Sequence, residues 1–264
     1  MEILKINVVY FSATHTTRKV VRTIAEQFSG EKKEYNITQQ VIDGEVFLTE
    51  SDLLLVGMPV YSGRIPIQTL HSLNQIKANQ TPAIIVCVYG NRDYDDALLE
   101  LKELVEANGF TVVSAGAFVA QHSIFPQVGQ NRPDEKDLSK IKEFAVLSAK
   151  LLESITELCS VPFFEVKGNR PYKVPGKIPL RPKGDKKCDK CGICVKMCPT
   201  GAIPKDIPQK TDKAKCIACG RCIVVCPQQA RHFGGLLYKL ARKKFIKSNS
   251  VRKEPSVFFS TLEK

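Results

Sequence analysis

The sequence predicts an α/β fold, a doubly wound sheet of five parallel strands followed by a smaller module. Three observations predict it. Five apolar runs of strand length alternate with stretches whose apolar residues recur at helical spacing. The runs are apolar across both faces, as strands covered by helices on either side must be. Beyond residue 160 this alternation stops, and eight of the ten cysteines fall between Cys188 and Cys226.

Leu4–Phe11 is rich in β-branched and aromatic residues and reads as a buried first strand. Ser12–Thr17 is a small polar loop. Val20, Val21, Ile24, Ala25 and Phe28 then mark a helix face. Tyr35–Thr38 is the second strand in this reading. Leu53–Met58 is the third and Ala83–Val88 the fourth. Ala97, Leu98, Leu101, Leu104 and Val105 form the helix behind it, closed by Asn108-Gly109. Thr111–Phe118 is the fifth strand and Leu138–Leu158 a long helix. Residues 1–160 therefore make the first domain. Residues 161–187, with Pro162, Pro171, Pro175, Pro179 and Pro182 and no periodicity, are a linker or a wrapping segment. Residues 188–230 are too few for an ordinary core and need another organiser. Residues 231–264 form a basic tail with a short amphipathic helix at Leu236–Ile246.

The chain has 264 residues and a formal charge of +12, unevenly spread. Residues 1–160 carry 15 Lys/Arg against 20 Asp/Glu, and residues 161–264 carry 24 against 7. So basic a second half suits an acidic protein partner, or offsets an anionic group bound within it. No nucleic-acid reading motif accompanies the charge, which argues against that partner. No apolar run approaches the roughly 18 residues of a membrane span, and the first residues read as a strand without a cleavage site. The expected location is cytoplasmic, where thiols serve metals more than disulfides.

The two cysteine runs are C-D-K-C-G-I-C-V-K-M-C-P and C-I-A-C-G-R-C-I-V-V-C-P. Each reads C-x2-C-x2-C-x3-C-P, the spacing by which thiolates hold iron–sulfur cubanes. Cys188, Cys191, Cys194, Cys198, Cys216, Cys219, Cys222 and Cys226 are the candidate ligands of two [4Fe–4S] clusters. Zinc is the alternative, but structural zinc prefers two cysteine pairs separated by a longer gap. Gly192 and Gly220 are read as turns that bring backbone N–H groups near sulfur. Cys87 and Cys159 stand outside the runs and read as core filling.

Ser12-Ala13-Thr14-His15-Thr16-Thr17 lies at a strand end and opens a helix, a place where backbone N–H groups and the helix dipole favour an anion. A plain helix cap is the alternative reading. The loop lacks the patterns for a dinucleotide or ATP, so a monophosphate fits it better. S-A-T-H-T-T resembles the S/T-x-T-G-x-T phosphate loop of flavodoxins. P-V-Y-S-G-R at Pro59–Arg64 and Y-G-N-R-D-Y-D-D at Tyr89–Asp96 stand where that family holds the FMN ring. The cysteine runs resemble a bacterial-type two-cluster ferredoxin domain, with an α+β fold. Together the chain resembles the flavodoxin/ferredoxin fusion proteins of anaerobes, over residues 1–160 and 185–230.

The resemblance implies a flavodoxin-like first domain binding FMN, and implies site residues. Ser12, Thr14, His15, Thr16 and Thr17 would hold the phosphate, His15 standing where the family has glycine. Pro59, Val60, Tyr61, Ser62 and Gly63 would line the ring, as would Tyr89, Gly90, Asn91, Arg92, Tyr94 and Asp95, with Tyr61 and Tyr94 stacking on it. In two-cluster ferredoxins the fourth cysteine of each run serves the other cluster. Cys226 would then join Cys188, Cys191 and Cys194, and Cys198 would join Cys216, Cys219 and Cys222.

The sequence shows no nicotinamide fingerprint, no triad and no acid–base pair, so no catalytic residue is assigned. The expected function is electron transfer between FMN, two clusters and an acidic redox protein such as a ferredoxin, flavodoxin or reductase. The alternatives are a redox or iron–sulfur sensor or binding module, and an FMN-dependent reductase of a small molecule.

Overall fold

The computed structural model describes residues 1–176 and 178–260. Its main sheet contains β1 (Lys5–Tyr10), β2 (Glu31–Asn36), β4 (Asp52–Pro59), β6 (Thr81–Tyr89), β7 (Phe110–Val119) and β10 (Ser256–Phe259). The remaining strands are short pieces: β3 (Val46–Leu48) with β5 (Ile76–Ala78), and β8 (Lys183–Gly184) with β9 (Arg231–His232). The helices are α1 (Thr16–Ala25), α2 (Leu70–Asn74), α3 (Ala97–Ala107), α4 (Glu135–Ser154), α5 (Ile193–Lys196), α6 (Arg221–Val224) and α7 (Leu236–Asn249).

The order across the main sheet is β10-β7-β6-β4-β1-β2. Its first five members in chain order are parallel and run 2-1-3-4-5 across the sheet, the flavodoxin-like arrangement. The sixth strand, β10, pairs antiparallel along the outer edge of β7, Phe258 opposite Ala115. That strand comes from the tail and was not expected. It closes an edge whose N–H and C=O groups would otherwise face solvent. The second strand lies earlier than its apolar content suggested, at Glu31–Asn36, because an edge strand paired on one side tolerates charged residues.

The core lies in two layers. Val20, Val21 and Ile24 of α1 pack with Phe144 and Leu152 of α4 over one face of the sheet. Leu98, Leu101 and Val105 of α3 cover the other. Asp134 caps α4 by accepting from the Asp137 N–H at 3.0 Å, in a reciprocal capping box.

Residues 161–176 and 178–187 wrap the domain. Asp96, buried before α3, accepts from the N–H groups of Asn169 at 2.8 Å and Lys173 at 2.6 Å. Lys167 pairs with Asp93 at 2.8 Å, and Arg64 lies over the Tyr172 ring. Leu180 reaches an apolar cluster with Ile124, Phe125, Ala218 and Phe233. The tail returns as well. The Asn91 amide donates to Asn249 O and Val251 O, both at 2.8 Å, and Arg252 pairs with Asp134 at 2.6 Å. The cysteine module is therefore seated on the sheet domain and bracketed by its two flanking segments.

Candidate cluster and phosphate sites

The two cysteine runs fold as near copies. Each places a left-handed glycine, Gly192 (φ 78°) and Gly220 (φ 79°), before one short helical turn, α5 and α6. Glycine is needed there because an L side chain is strained at positive φ. Cys188, Cys191, Cys194 and Cys226 border one small cavity. The Cys194 thiol is raised chiefly by burial and then by Cys188, Cys226 and Cys191. The Cys219 and Cys222 thiols, in turn, feel Cys216 and Cys198. Burial pushes these two up to about 12 and about 11, so neither is a reactive thiolate alone; a bound metal centre would supply the charge that deprotonates them. No three ligand-type side chains among the described residues converge on a single-ion site. A cubane, with iron at four corners, spreads its thiolates wider than one ion does.

Backbone N–H groups reach the sulfurs in matching places. Ala202 N donates to Cys198 Sγ and Ala230 N to Cys226 Sγ, each at 3.3 Å. Arg231, only 2% exposed, lies between the sets: its charge lowers the pKa values of Cys194, Cys216 and Cys222. Carbonyls of Pro182, Pro208 and Lys210 accept from its guanidinium. Arg231 was missed in the sequence, where one arginine in a basic stretch carries no mark of burial. Of the two cysteines outside the runs, Cys87 is buried as expected. Cys159 is exposed, in a turn after α4, and fills no core.

The two sets differ in setting. Cys191 is exposed, beside exposed Lys186, Lys187 and Lys190. Cys219 is buried among the residues at the strand ends, in one apolar cluster with Phe11 and Ala13. The segment Ile217–Arg221 thus sits directly on the loop after β1 and the loop after β4.

His15 adopts φ 67°, ψ −7° and caps α1, so the loop keeps a left-handed residue where the family has glycine. Ser12 N donates to Thr38 Oγ1 at 2.7 Å, and Arg18 N to Ser12 Oγ at 3.0 Å. These bonds turn Ser12 inward to brace the loop. The Thr17 side chain is buried against Gly57. The backbone N–H groups of residues 13–17 have no acceptor among the described residues. Such a run of free N–H groups at a helix start fits a phosphate.

From Thr14, His15 and Thr16 a cavity of about 480 Å³ opens between the β7–α4 loop and the cysteine module, within the size range of small-molecule sites. Ile124, Phe233 and Tyr238 give it an apolar end. Val60, Ser62, Gly63, Tyr89, Gly90 and Arg92 border a second, smaller cavity of about 210 Å³. His122 and Ile124 line both and stand between them. The phosphate-loop residues and the ring-loop residues are therefore not brought into one cavity.

Several residues expected around a ring make other contacts. Tyr61 is packed edge-on to Phe11 at 6.3 Å, and its phenol is held well above its ordinary pKa by burial and then by Cys219. Tyr94 is 5% exposed, tilted against Tyr89 with Lys167 over its ring. Tyr94 is thus buried in protein contacts, while Tyr61 is half-buried. A Cβ at Gly63 would strike the Asp95 carboxyl, and one at Gly90 the His122 ring. Asn91 anchors the tail, and Arg92 pairs with Asp95. Pro59 ends β4 as an ordinary strand residue.

Residues 187–230 match a family model described as a 4Fe-4S dicluster domain. An uncharacterized protein of Methanocaldococcus jannaschii is 26% identical over 149 residues, covering 54% of this chain and 96% of that protein. Among solved structures, a flavodoxin from the domain Archaea is similar at a TM-score of 0.41 and 16% identity, over 56% of this chain and 99% of that one. The Fusobacterium nucleatum flavodoxin bound to flavin mononucleotide gives 0.40 and 16%, over 55% and 96%. The chain joins a flavodoxin-like α/β domain to a ferredoxin-type 4Fe–4S domain; the fold of the first rests on its strand order.

Proposed function

We propose that this chain transfers electrons between FMN, two [4Fe–4S] clusters and an external redox protein. One observation carries the reading: the second cysteine run is seated on the phosphate loop, so both candidate centres meet at the strand ends. Cys188, Cys191, Cys194 and Cys226 would hold one cluster; Cys216, Cys219, Cys222 and Cys198 would hold the other. The N–H groups at Ala13–Thr17 suit the phosphate of FMN, and Ile124, Phe233 and Tyr238 suit its apolar end. When bound, the clusters supply single-electron transfer, and FMN couples single to paired transfer.

The chain's own residues set the conditions. Ala202 and Ala230 donate to cluster-side sulfurs, and Arg231 places a cation beside both sets. All three favour the more negative, reduced state of a nearby centre. The aromatic stack of Phe125, Tyr238 and Phe233 gives the junction an apolar wall. Exposed lysines around Cys191 suit an acidic partner docking near the first centre. No helix among the described residues is long and apolar enough to cross a membrane.

The test is composition under anaerobic conditions. About eight iron and eight acid-labile sulfide per chain are expected, with tight binding of one FMN. Four iron per chain after full reconstitution would remove the two-cluster reading. Failure to bind FMN would remove the flavin and leave a ferredoxin-type carrier.

A further inference from the structure

We propose that the anion site at the phosphate loop is shared by both modules, Arg221 of the cysteine module closing it from above, so that one monophosphate-bearing ligand bridges them. The identity of that ligand rests on the FMN reading; the shared site does not.

Arg221 stands between Cys219 and Cys222 and is 5% exposed. Its Nη1 donates to Ala13 O at 3.3 Å and lies 3.3 Å from His15 Nε2, so the guanidinium is on the loop itself. Its Nε is buried and has no partner among the described residues. No carboxylate among them lies within ion-pair distance of it. Burial, followed by Arg221 and Arg18, lowers the pKa of His15.

A guanidinium out of water with a spare donor, no carboxylate partner and a second arginine nearby is costly alone. Beneath it lie the free N–H groups of residues 13–17, at the positive end of α1. The groups left without a partner here are all donors, and what they lack is a shared acceptor. A phosphate offers several acceptor oxygens, enough for the loop amides and a planar guanidinium together. Gly220 fits the close seating, since a Cβ there would lie 3.4 Å from both Thr14 Cγ2 and Ser123 O.

The experiment uses the full, cluster-loaded chain under anaerobic conditions. FMN, riboflavin and inorganic phosphate are titrated calorimetrically into wild type and Arg221→Gln, with iron content as a control. Arg221→Gln should weaken FMN by about 10- to 100-fold, as loss of charged hydrogen bonds does, and leave riboflavin nearly unchanged. Arg221→Lys, keeping the charge without the fork, should fall between. Unchanged FMN affinity, or an equal loss for riboflavin, would overturn the proposal. If wild type binds no FMN, inorganic phosphate decides. Phosphate binding lost in Arg221→Gln keeps the shared site while the flavin reading falls, and no binding of either ligand ends both. Should Arg221→Gln lose its iron, hydrogen exchange on wild type replaces it. The bound ligand should slow exchange at residues 13–17 and 219–222 together, and protection of 13–17 alone would refute the bridge.

Discussion

Arg231 is a cation held out of water by carbonyls, with thiols of both cysteine sets within reach of its field. A cluster held by either set would gain negative charge on reduction, so a fixed positive charge beside it would raise its potential. Arg231→Met should lower the midpoint potentials by roughly 50–100 mV, the effect of one charge at close range in a protein interior. Arg231→Lys should restore much of that. Anaerobic redox titration followed by magnetic spectroscopy reads both, and unchanged potentials in Arg231→Met would show that the residue serves packing alone. The two cysteine runs were legible because their pattern is a spacing along the chain itself. Arg221 and Arg231 were not, because burial of a charged side chain is decided by segments far away in sequence.

At the scale of the element, the loop between β7 and α4 is the wall between the two cavities. His122 shapes it: Nδ1 accepts from Ile124 N and Phe125 N at 3.1 Å, and the ring packs edge-on to Phe245 at 4.6 Å. Burial, then Arg92, lowers its pKa to about 4. The folded value lies below the ordinary 6.5, so the unfolded chain binds the proton first. The stability this neutral ring contributes is whole above about pH 6.5 and is lost as pH falls toward 4. Anaerobic thermal melts should show wild type losing stability between pH 7 and 5 more steeply than His122→Gln. Equal slopes would exclude the ring as the titrating group. The buried strands β1, β4, β6 and β7 could be read from apolar runs. β2, with the sequence EKKEYN, and β10, behind a charged stretch, could not, since an edge strand owes its place to its neighbour's backbone. The ring loops could be read as motifs, but not their contacts with the Ile217–Arg221 segment and the tail, which segments far away in sequence supply.

Across the whole molecule, the two cysteine sets occupy different environments, one at a basic surface and one buried at the strand ends. An acidic carrier would be steered to the exposed set by charge acting over about a Debye length. Neutralising Lys186, Lys187, Lys190 and Lys196 to glutamine should slow second-order electron exchange with an acidic ferredoxin about tenfold at low salt and flatten its salt dependence. Iron content and flavin affinity should not change. Stopped-flow rates across a salt series are the measurement, and identical slopes would move the docking face elsewhere.

The antiparallel strand at the sheet edge also turns the cysteine module into an insertion between two fixed points. The chain leaves the sheet domain after α4 and comes back to it at β10, where Phe258 pairs with Ala115. The Asn91 grip holds the segment just before that strand. A module tethered on both sides has less freedom to swing than one hung from a single linker, so backbone pairing at the far edge of the sheet helps hold the cysteine runs at the strand ends.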